Sequence, residues 1–246
     1  LATLPFVMAI DGKKKLSKRD GAKDILTYAR EGYLPEAMAN FLATLGWNDG
    51  SEQEVYTRSQ LTLKFSLDRV QKSPARFDEQ RLLWLNGQHI RLLSLDDLWT
   101  RVADFWPAEA AGAEEDYKRQ VLTLAQDRLK TLADLPLLTS YFFAEPAPDW
   151  SMIDNNKQLG KLSRDQHIDL LKKSAATLEQ TDFTPETLQQ TLNNLLEQTG
   201  EKPGTLFSLI RFAITWAPFS PALPETIAVL GKQKTLDRLQ NAITTA

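Results

Sequence analysis

The segment Thr184–Gly200, with the sequence TPETLQQTLNNLLEQTG, decides the fold class of this chain. It opens with Thr-Pro, the pair expected at the N-cap and the first position of a helix. Leu188, Leu192 and Leu195 then recur at intervals of four and three residues, which places them on one helix face. The closing glycine tolerates the left-handed conformation that is common at helix ends. The segment therefore predicts one complete amphipathic helix.

Similar helix signals recur along the rest of the chain, including capping-box patterns and prolines at first helical positions. Helices are predicted to begin at or near Pro35, Ser73, Asp78, Ser94, Tyr117, Ser163, Thr184, Thr205, Pro224 and Lys232. The helix from Tyr117 is predicted to end near Ala133. Strand signals are few, with Pro5–Ile10 as one short candidate and Gln53–Arg58 as a weaker one. We therefore predict a mainly α protein with a small β contribution near the N-terminus.

One segment has the composition of a linker. Glu145–Pro148 contains two prolines in four residues, and this opposes any helix.

Composition excludes several classes of site. The 246 residues are 42% hydrophobic and 25% charged, which is ordinary for a folded protein. The absence of cysteine excludes disulfides, thiolate nucleophiles and cysteine-ligated zinc. His89 and His167 stand far apart, each without a carboxylate at ligand spacing, so we expect no histidine metal site. A net charge of −3 argues against a protein that coats nucleic acid, but not against a few cations on one RNA-binding face.

Targeting signals are not apparent in the sequence. No stretch approaches the roughly 18 apolar residues that span a bilayer, and no basic-then-apolar leader precedes the first apolar run. We expect a cytoplasmic protein with no membrane association. Because the chain begins with Leu1, we also expect it to be cut from a longer protein.

The segment from Asp11 to Gly21, DGKKKLSKRDG, has the highest concentration of side chains suited to binding or catalysis. Five of the seven residues from Lys13 to Arg19 are cationic, and glycines stand on both sides. Lysine is a compact charge on a flexible stem, which suits contact with a polyphosphate. From charge alone, a solvated basic turn or a nuclear-import-like patch is the favoured interpretation.

The residue order in this segment resembles a known signature. Lys15-Leu16-Ser17-Lys18-Arg19 is similar to the KMSKS motif of class I aminoacyl-tRNA synthetases, in the KLSKR form of glutamyl-tRNA synthetases. The resemblance implies that these five residues bind ATP, which carries Mg²⁺, and that Lys15 and Lys18 are catalytic. Lys18 would stabilise the phosphates as adenylate forms, with Lys15 assisting. The family more often has histidine where Asp20 stands.

A near-copy of the signature occurs at Lys161–Arg164, KLSR. Here Ser163 lies three residues before Gln166, the spacing of a capping box. We interpret this copy as a helix start and not as a second phosphate site.

Blocks resembling the same family continue to the end of the chain. Examples are Leu45–Trp47, Trp84–Arg91, Lys202–Phe207 and Val229–Lys232. The family fold implied is a small mixed α/β stem-contact domain followed by two helical anticodon-binding domains. The corresponding domain boundaries are residues 1–92, 93–148 and 149–246.

The resemblance also implies RNA contacts. Lys72 lies in the block that resembles the stem-contact region. Arg211 lies in an otherwise apolar run, at a place where the family has an arginine on its anticodon-facing surface. A salt bridge to a neighbouring helix is the alternative role for Arg211. Trp216 stands where the family often has a small residue, which puts the loop geometry there in doubt.

The HIGH signature of class I synthetases does not occur in this sequence. We therefore expect that the chain holds only part of an active site and neither forms glutamyl adenylate nor charges tRNA by itself. The favoured interpretation is a segment of a monomeric glutamate–tRNA ligase, which would bind ATP, glutamate-accepting tRNA and, through a domain outside this sequence, L-glutamate. A free-standing tRNA-binding module and a helical interaction protein without an RNA role are the alternatives.

Overall fold

The structure is a computed structural model that describes residues 5–17, 19, 23–217 and 219–246. These residues form a mainly helical fold with a single pair of short parallel strands in the described ranges, which confirms the predicted fold class. The elements are β1 (Val7–Met8), α1 (Ile25–Arg30), α2 (Pro35–Thr44), α3 (Arg58–Lys64), β2 (Ala75–Arg76), α4 (Glu79–Leu92), α5 (Leu95–Arg101), α6 (Glu115–Gln126), α7 (Leu135–Phe143), α8 (Ser151–Asp154), α9 (Arg164–Glu179), α10 (Pro185–Thr199), α11 (Pro203–Thr215), α12 (Leu223–Leu230) and α13 (Lys232–Thr244).

The chain forms two compact units. The first extends to Phe105 and also includes Gln126–Leu135, whereas the second comprises Trp106–Ala125 and Pro136–Ala246. The division into three domains, with boundaries after residues 92 and 148, stays a prediction.

The core of the first unit lies between α2 and α4. Phe41 on α2 and Leu82 and Leu85 on α4 are fully buried there. A buried asparagine on α4, Asn86, connects this core to the surrounding backbone. The amide of Asn86 accepts from the Leu34 backbone N–H at 2.7 Å and donates to the Lys130 carbonyl at 2.6 Å. Since buried backbone groups must be hydrogen-bonded, these contacts position segments that have no helix or sheet of their own.

The helix predicted from Ser73 is wrong. The chain is extended there and forms β2, which pairs in parallel with β1 through Val7 with Ala75 and Met8 with Arg76. The Phe77 N–H then donates to the Met8 carbonyl at 2.9 Å. A strand partner almost 70 residues away thus overrides the local helix signal.

The predicted strand at Gln53–Arg58 is also wrong. Thr57 instead caps α3, with its side chain accepting from the Gln60 N–H and the Gln60 side chain accepting from the Thr57 N–H. The first candidate, Pro5–Ile10, is confirmed in its central two residues, Val7–Met8.

Five helices, α9 to α13, enclose the core of the second unit. Their fully buried side chains include Leu171, Leu192, Leu209 and Leu239. The opening segment, Thr184–Gly200, forms α10 as predicted, with the Thr184 side chain at the N-cap and the closing glycine at a φ of 71°.

The helix predicted from Tyr117 ends earlier than expected. It stops at Gln126, and the following residues make backbone contacts that a helix would not allow. The Leu132 N–H donates to the Gly32 carbonyl at 3.0 Å, and the Gln126 side chain donates to the carbonyls of Ile90 and Leu93 near the end of α4. Among the described residues, four further helices were not predicted, namely α1, α3, α7 and α8.

None of the helices in the described ranges is both long enough and apolar enough to cross a membrane.

Both histidines are buried and hydrogen-bonded. His89 Nε2 lies 3.0 Å from the Asn40 side-chain oxygen, and His167 Nε2 lies 3.0 Å from the Leu159 carbonyl. Because both partners are acceptors, Nε2 donates in each neutral ring. Nδ1 of His167 is buried and has no hydrogen-bond partner among the described residues. Burial is the main cause that lowers the pKa of each histidine below its ordinary value of 6.5.

These shifts predict that acid weakens the fold. The unfolded chain binds more protons than the folded chain just below pH 6.5, so the free energy of unfolding should fall as pH falls through that value. We expect the urea midpoint to decrease between pH 7 and pH 5.5. The double variant H89Q/H167Q, in which the amides can still donate to Asn40 and Leu159, should show a smaller decrease. An equal decrease in both proteins would contradict this assignment.

Candidate nucleotide and RNA contact sites

The segment that carries the lysine signature begins with a tight hairpin, residues 7–16, at the end of β1. We call it the lysine hairpin. The Ala9 N–H donates to the Lys14 carbonyl at 2.8 Å, and the Leu16 N–H donates to the Val7 carbonyl at 2.9 Å. Met8 and Lys15 form an antiparallel bridge within this hairpin. The hydrogen bonds place Lys13 and Lys14 at the exposed turn. The hairpin is thereby fixed to β1, and through β1 to β2.

Gly12 makes the turn of this hairpin possible. Its φ is 69°, in the left-handed region that favours glycine. A Cβ atom at this position would lie 2.8 Å from Nε of Arg76 on β2. The turn and the second strand therefore lie so close together that only glycine fits without a shift of the arginine.

The structure describes four of the five predicted ATP-binding residues. Lys15 is exposed, and its ammonium lies 4.0 Å from the ring centroid of Phe6, a cation–π contact. Leu16 and Ser17 are half-buried, and Arg19 is exposed. Lys18, the residue with the main catalytic role implied by the resemblance, lies outside the described residues.

A mostly apolar cleft of about 470 Å³ lies beside the hairpin. Leu16 lines it together with Lys23, Tyr28, Phe77 and Glu79. The Tyr28 hydroxyl donates to Glu79 at 3.1 Å, and burial together with this carboxylate raises the pKa of Tyr28 well above its usual range. Sequence reasoning missed this pair because its members are 51 residues apart and neither has a distinctive local pattern.

The two predicted tRNA-contacting residues belong to different units. Lys72 is exposed in the turn before β2, where the adjacent Gln71 N–H donates to the Gly46 carbonyl at 2.7 Å. Arg211 is half-buried on α11. Its positive charge, with that of Arg238, partly opposes the rise that burial causes in the pKa of Tyr141.

The second unit contains a buried cation that the sequence did not reveal. Arg238 on α13 is 4% exposed. Its guanidinium donates to both carboxylate oxygens of Glu145 at 2.9–3.0 Å and to the Ile214 carbonyl at 2.8 Å. Glu145 lies 93 residues away, in the segment with the composition of a linker. That segment is non-helical as predicted, but its first residue is fixed by this ion pair.

The near-copy of the signature is a helix start. Lys161 ends a short 3₁₀ turn, and Ser163 caps α9 with both halves of the capping box formed. This confirms the structural interpretation of the second copy.

Two family models match this chain. Residues 97–243 match an anticodon binding domain, and residues 4–84 match the catalytic domain of class I tRNA synthetases for glutamate and glutamine (E and Q).

Two glutamate–tRNA ligases are similar in sequence to almost the whole of this chain. The chain is 36% identical over 249 residues to a glutamate–tRNA ligase of Chloroflexus aurantiacus, which covers 98% of this chain and 50% of that protein. It is 33% identical over 240 residues to a glutamate–tRNA ligase of Bacillus subtilis, which covers 94% of this chain and 49% of that protein. The chain thus spans about half the length of the curated relatives it matches.

Two solved structures have a fold similar to that of this chain. A glutamate–tRNA synthetase from Elizabethkingia anophelis superposes with a TM-score of 0.77 at 25% identity, over 99% of this chain and 50% of that one. A glutamate–tRNA ligase from Elizabethkingia meningosepticum superposes with a TM-score of 0.78 at 24% identity, over 99% and 51% of the two chains.

The geometry at Gly12 predicts a local effect of substitution. Gly12→Ala should destabilise the hairpin by about 1 kcal/mol, because alanine disfavours positive φ and its methyl group would meet Arg76. Hydrogen exchange of the Leu16 amide, which is bonded to Val7, should become faster. Gly46→Ala is the matched control, since a Cβ there meets nothing within 4 Å. Unchanged exchange in Gly12→Ala would contradict the hairpin described here.

Proposed function

Because this chain belongs to the glutamate–tRNA ligase family, we propose that it forms the part of such an enzyme that contacts the ATP phosphates and binds tRNA. The observation that carries the proposal is the paired family match, with a synthetase catalytic domain over residues 4–84 and an anticodon binding domain over residues 97–243. The first of these matches favours a ligase over a free-standing tRNA-binding module, because it includes the lysine hairpin.

In the proposed reaction the lysine hairpin acts on ATP. Lys15 and Lys18 place ammonium groups near the phosphates, and Leu16, Ser17 and Arg19 complete the contact surface. Negative charge shifts among the phosphates as the glutamate carboxylate attacks the α-phosphate and pyrophosphate leaves. Positioned cations stabilise that charge without forming a covalent bond. Mg²⁺ enters as the counterion of ATP.

The hydrogen bonds of the hairpin support this role. The bonds to Val7 and the β1–β2 pair fix the base of the turn, while Lys13, Lys14 and Lys15 lie at the surface. A rigid base with flexible cationic side chains suits a group that must follow a moving phosphate. The Lys15–Phe6 contact is weak enough at an exposed site to exchange for a phosphate contact.

The proposal extends to the partners of the whole enzyme. Glutamate-accepting tRNA is held at its stem by the first unit, with Lys72 at the phosphates, and at its anticodon by the second, with Arg211. L-glutamate is bound by parts of the enzyme outside this sequence. The enzyme acts as a cytoplasmic monomer.

The role of Lys18 predicts a kinetic effect in the full-length enzyme. Lys18→Ala should slow adenylate formation by roughly a hundredfold, as expected for loss of one charge contact in the transition state. ATP–pyrophosphate exchange measures this step, and Arg30→Ala, which removes an exposed cation on α1, serves as the control. A normal turnover number with only a higher KM for ATP would restrict the lysine to ground-state binding.

The tRNA contacts predict a salt-dependent binding change in this chain. Affinity for glutamate tRNA should fall steeply as salt rises, because phosphate contacts release counterions. Lys72→Ala should weaken binding and reduce the slope of log affinity against log salt by about one. Arg211→Ala should also weaken binding. Lys64→Ala is the control, because Lys64 is already paired with Asp49 at 2.7 Å.

Absence of binding at low salt would contradict the proposed tRNA contact. A slope that is equal in the wild type and in Lys72→Ala would remove Lys72 from the phosphate-contacting set.

A further inference from the structure

Arg76 on β2 stands in the same cross-strand row of the small sheet as Lys15. Met8 on β1 pairs in parallel with Arg76 on one side and forms an antiparallel bridge with Lys15 on the other. Residues that face each other across paired strands point to the same face of a sheet. Two cationic side chains that are distant in sequence therefore leave the sheet on one face, on either side of Met8.

The contacts of the two side chains agree with this register. Phe6 lies two residues before Met8 and therefore on the same face, and the Lys15 ammonium lies 4.0 Å from its ring centroid. Phe6 is 63% exposed. Ala75, the neighbour of Arg76 on β2, is half-buried, whereas Arg76 itself is exposed. The face that carries Lys15 and Arg76 is thus the solvent side of the sheet.

The guanidinium of Arg76 lies against the turn of the lysine hairpin. A Cβ atom at Gly12 would lie 2.8 Å from its Nε and 3.0 Å from its Cζ and Nη2. The absence of a side chain at Gly12 therefore leaves the space beside the planar group. This contact places the guanidinium next to the turn that carries Lys13 and Lys14, both of which are exposed.

No neighbouring acid neutralises this group of cations within the described ranges. Neither Arg76 nor Lys15 forms an ion pair with a carboxylate of the described residues. Asp78, two residues after Arg76, instead caps α4, where its side chain accepts from the N–H groups of Gln80 and Arg81. Like charges on one exposed face repel each other, and a bound polyanion offsets that repulsion.

From this arrangement we propose that Arg76 is a further ATP-binding residue, whose guanidinium contacts the polyphosphate chain from the side of β1 opposite Lys15. The proposal rests on the ATP contact proposed above for the lysine hairpin. A planar guanidinium can donate two parallel hydrogen bonds to phosphate oxygens, whereas an ammonium acts as a point charge. A polyphosphate carries its charges on adjacent groups, which matches clustered cations better than an RNA strand with one charge per nucleotide does.

Arg69 provides a matched control for Arg76. It is exposed in the same unit, and its guanidinium also lies against a glycine with positive φ, Gly50 at 85°. Arg69 belongs to neither β1 nor β2. Its substitution therefore repeats the loss of a cation and of a contact with a glycine turn, but leaves the face with Lys15 unchanged.

The test measures ATP–pyrophosphate exchange by the full-length enzyme, with glutamate and glutamate tRNA present. Arg76→Gln should raise the KM for ATP by about tenfold, the scale of one lost charge-assisted contact. Arg76→Lys keeps the charge and should retain most of the affinity. Arg69→Gln should behave as the wild type. The KM for tRNA in aminoacylation should be unchanged in every variant.

Inhibition by parts of ATP separates a phosphate contact from an indirect effect on the hairpin. Inorganic tripolyphosphate carries the charged part of the substrate, and adenosine carries the uncharged part. Arg76→Gln should weaken inhibition by tripolyphosphate about tenfold and leave inhibition by adenosine unchanged. Hydrogen exchange of the Leu16 amide, which is bonded to Val7, reports whether the hairpin is intact. If Arg76→Gln loosens the hairpin, Arg76→Met, which keeps a long apolar side chain, takes its place.

The outcomes separate the two proposals. If the wild type catalyses exchange and the Arg76 variants keep its KM for ATP, Arg76 is not a phosphate contact and the proposed function stands. A rise in the KM for tRNA alone assigns Arg76 to RNA and refutes the ATP contact. Faster Leu16 exchange in both uncharged variants, with equal weakening of both inhibitors, indicates support of the turn and also refutes it. If the wild type catalyses no exchange, the proposed function fails and this inference fails with it.

Discussion

A single buried amide, that of Asn86 on α4, organises the first unit. Its oxygen accepts the N–H of Leu34 at the start of α2, and its nitrogen donates to Lys130, 44 residues away. An amide offers both donors and an acceptor in one plane, so it can satisfy two segments that have no regular structure of their own. Without the first of these bonds, the backbone N–H of Leu34, which is 2% exposed, would lose its partner at a cost of about 1–3 kcal/mol.

The lysine hairpin depends on this framework through the strand pair. β2 lies directly before the N-cap of α4, Asp78, whose side chain accepts from Gln80 and Arg81. The helix that carries Asn86 therefore also fixes the end of β2, and β2 in turn fixes β1. Only two residues of each strand pair. So short a pair is not stable alone, and it persists because its ends are attached to a packed helix. The hairpin thus has a fixed base and an exposed cationic turn.

In the second unit, a buried charged side chain, Arg238, joins distant segments by hydrogen bonds. Arg238 is buried at 4% exposure, where an unpaired guanidinium would be very costly. It satisfies the carbonyls of Ile214 and Ala144 and pairs with Glu145, which joins α13 to the end of α11 and to the segment after α7. The end of α11 is also where Trp216 adopts positive φ. The helix end and the carboxylate are therefore held by the same buried guanidinium.

The sequence by itself determined the features that depend on neighbouring residues. The caps at Thr184 and Ser163, the glycine that ends α10 and the cationic signature at Lys15–Arg19 are readable because each signal lies within a few positions. Tertiary structure alone decided the features whose partners are distant. Ser73 and Pro74 precede a strand and not a helix because β1 supplies a partner, and α6 ends at Gln126 because α4 and Gly32 bind the residues that follow. The pairs Tyr28–Glu79 and Arg238–Glu145 bring together residues 51 and 93 positions apart. No local pattern encodes such pairs, because their energy comes from burial and hydrogen bonds that exist only once the chain has folded.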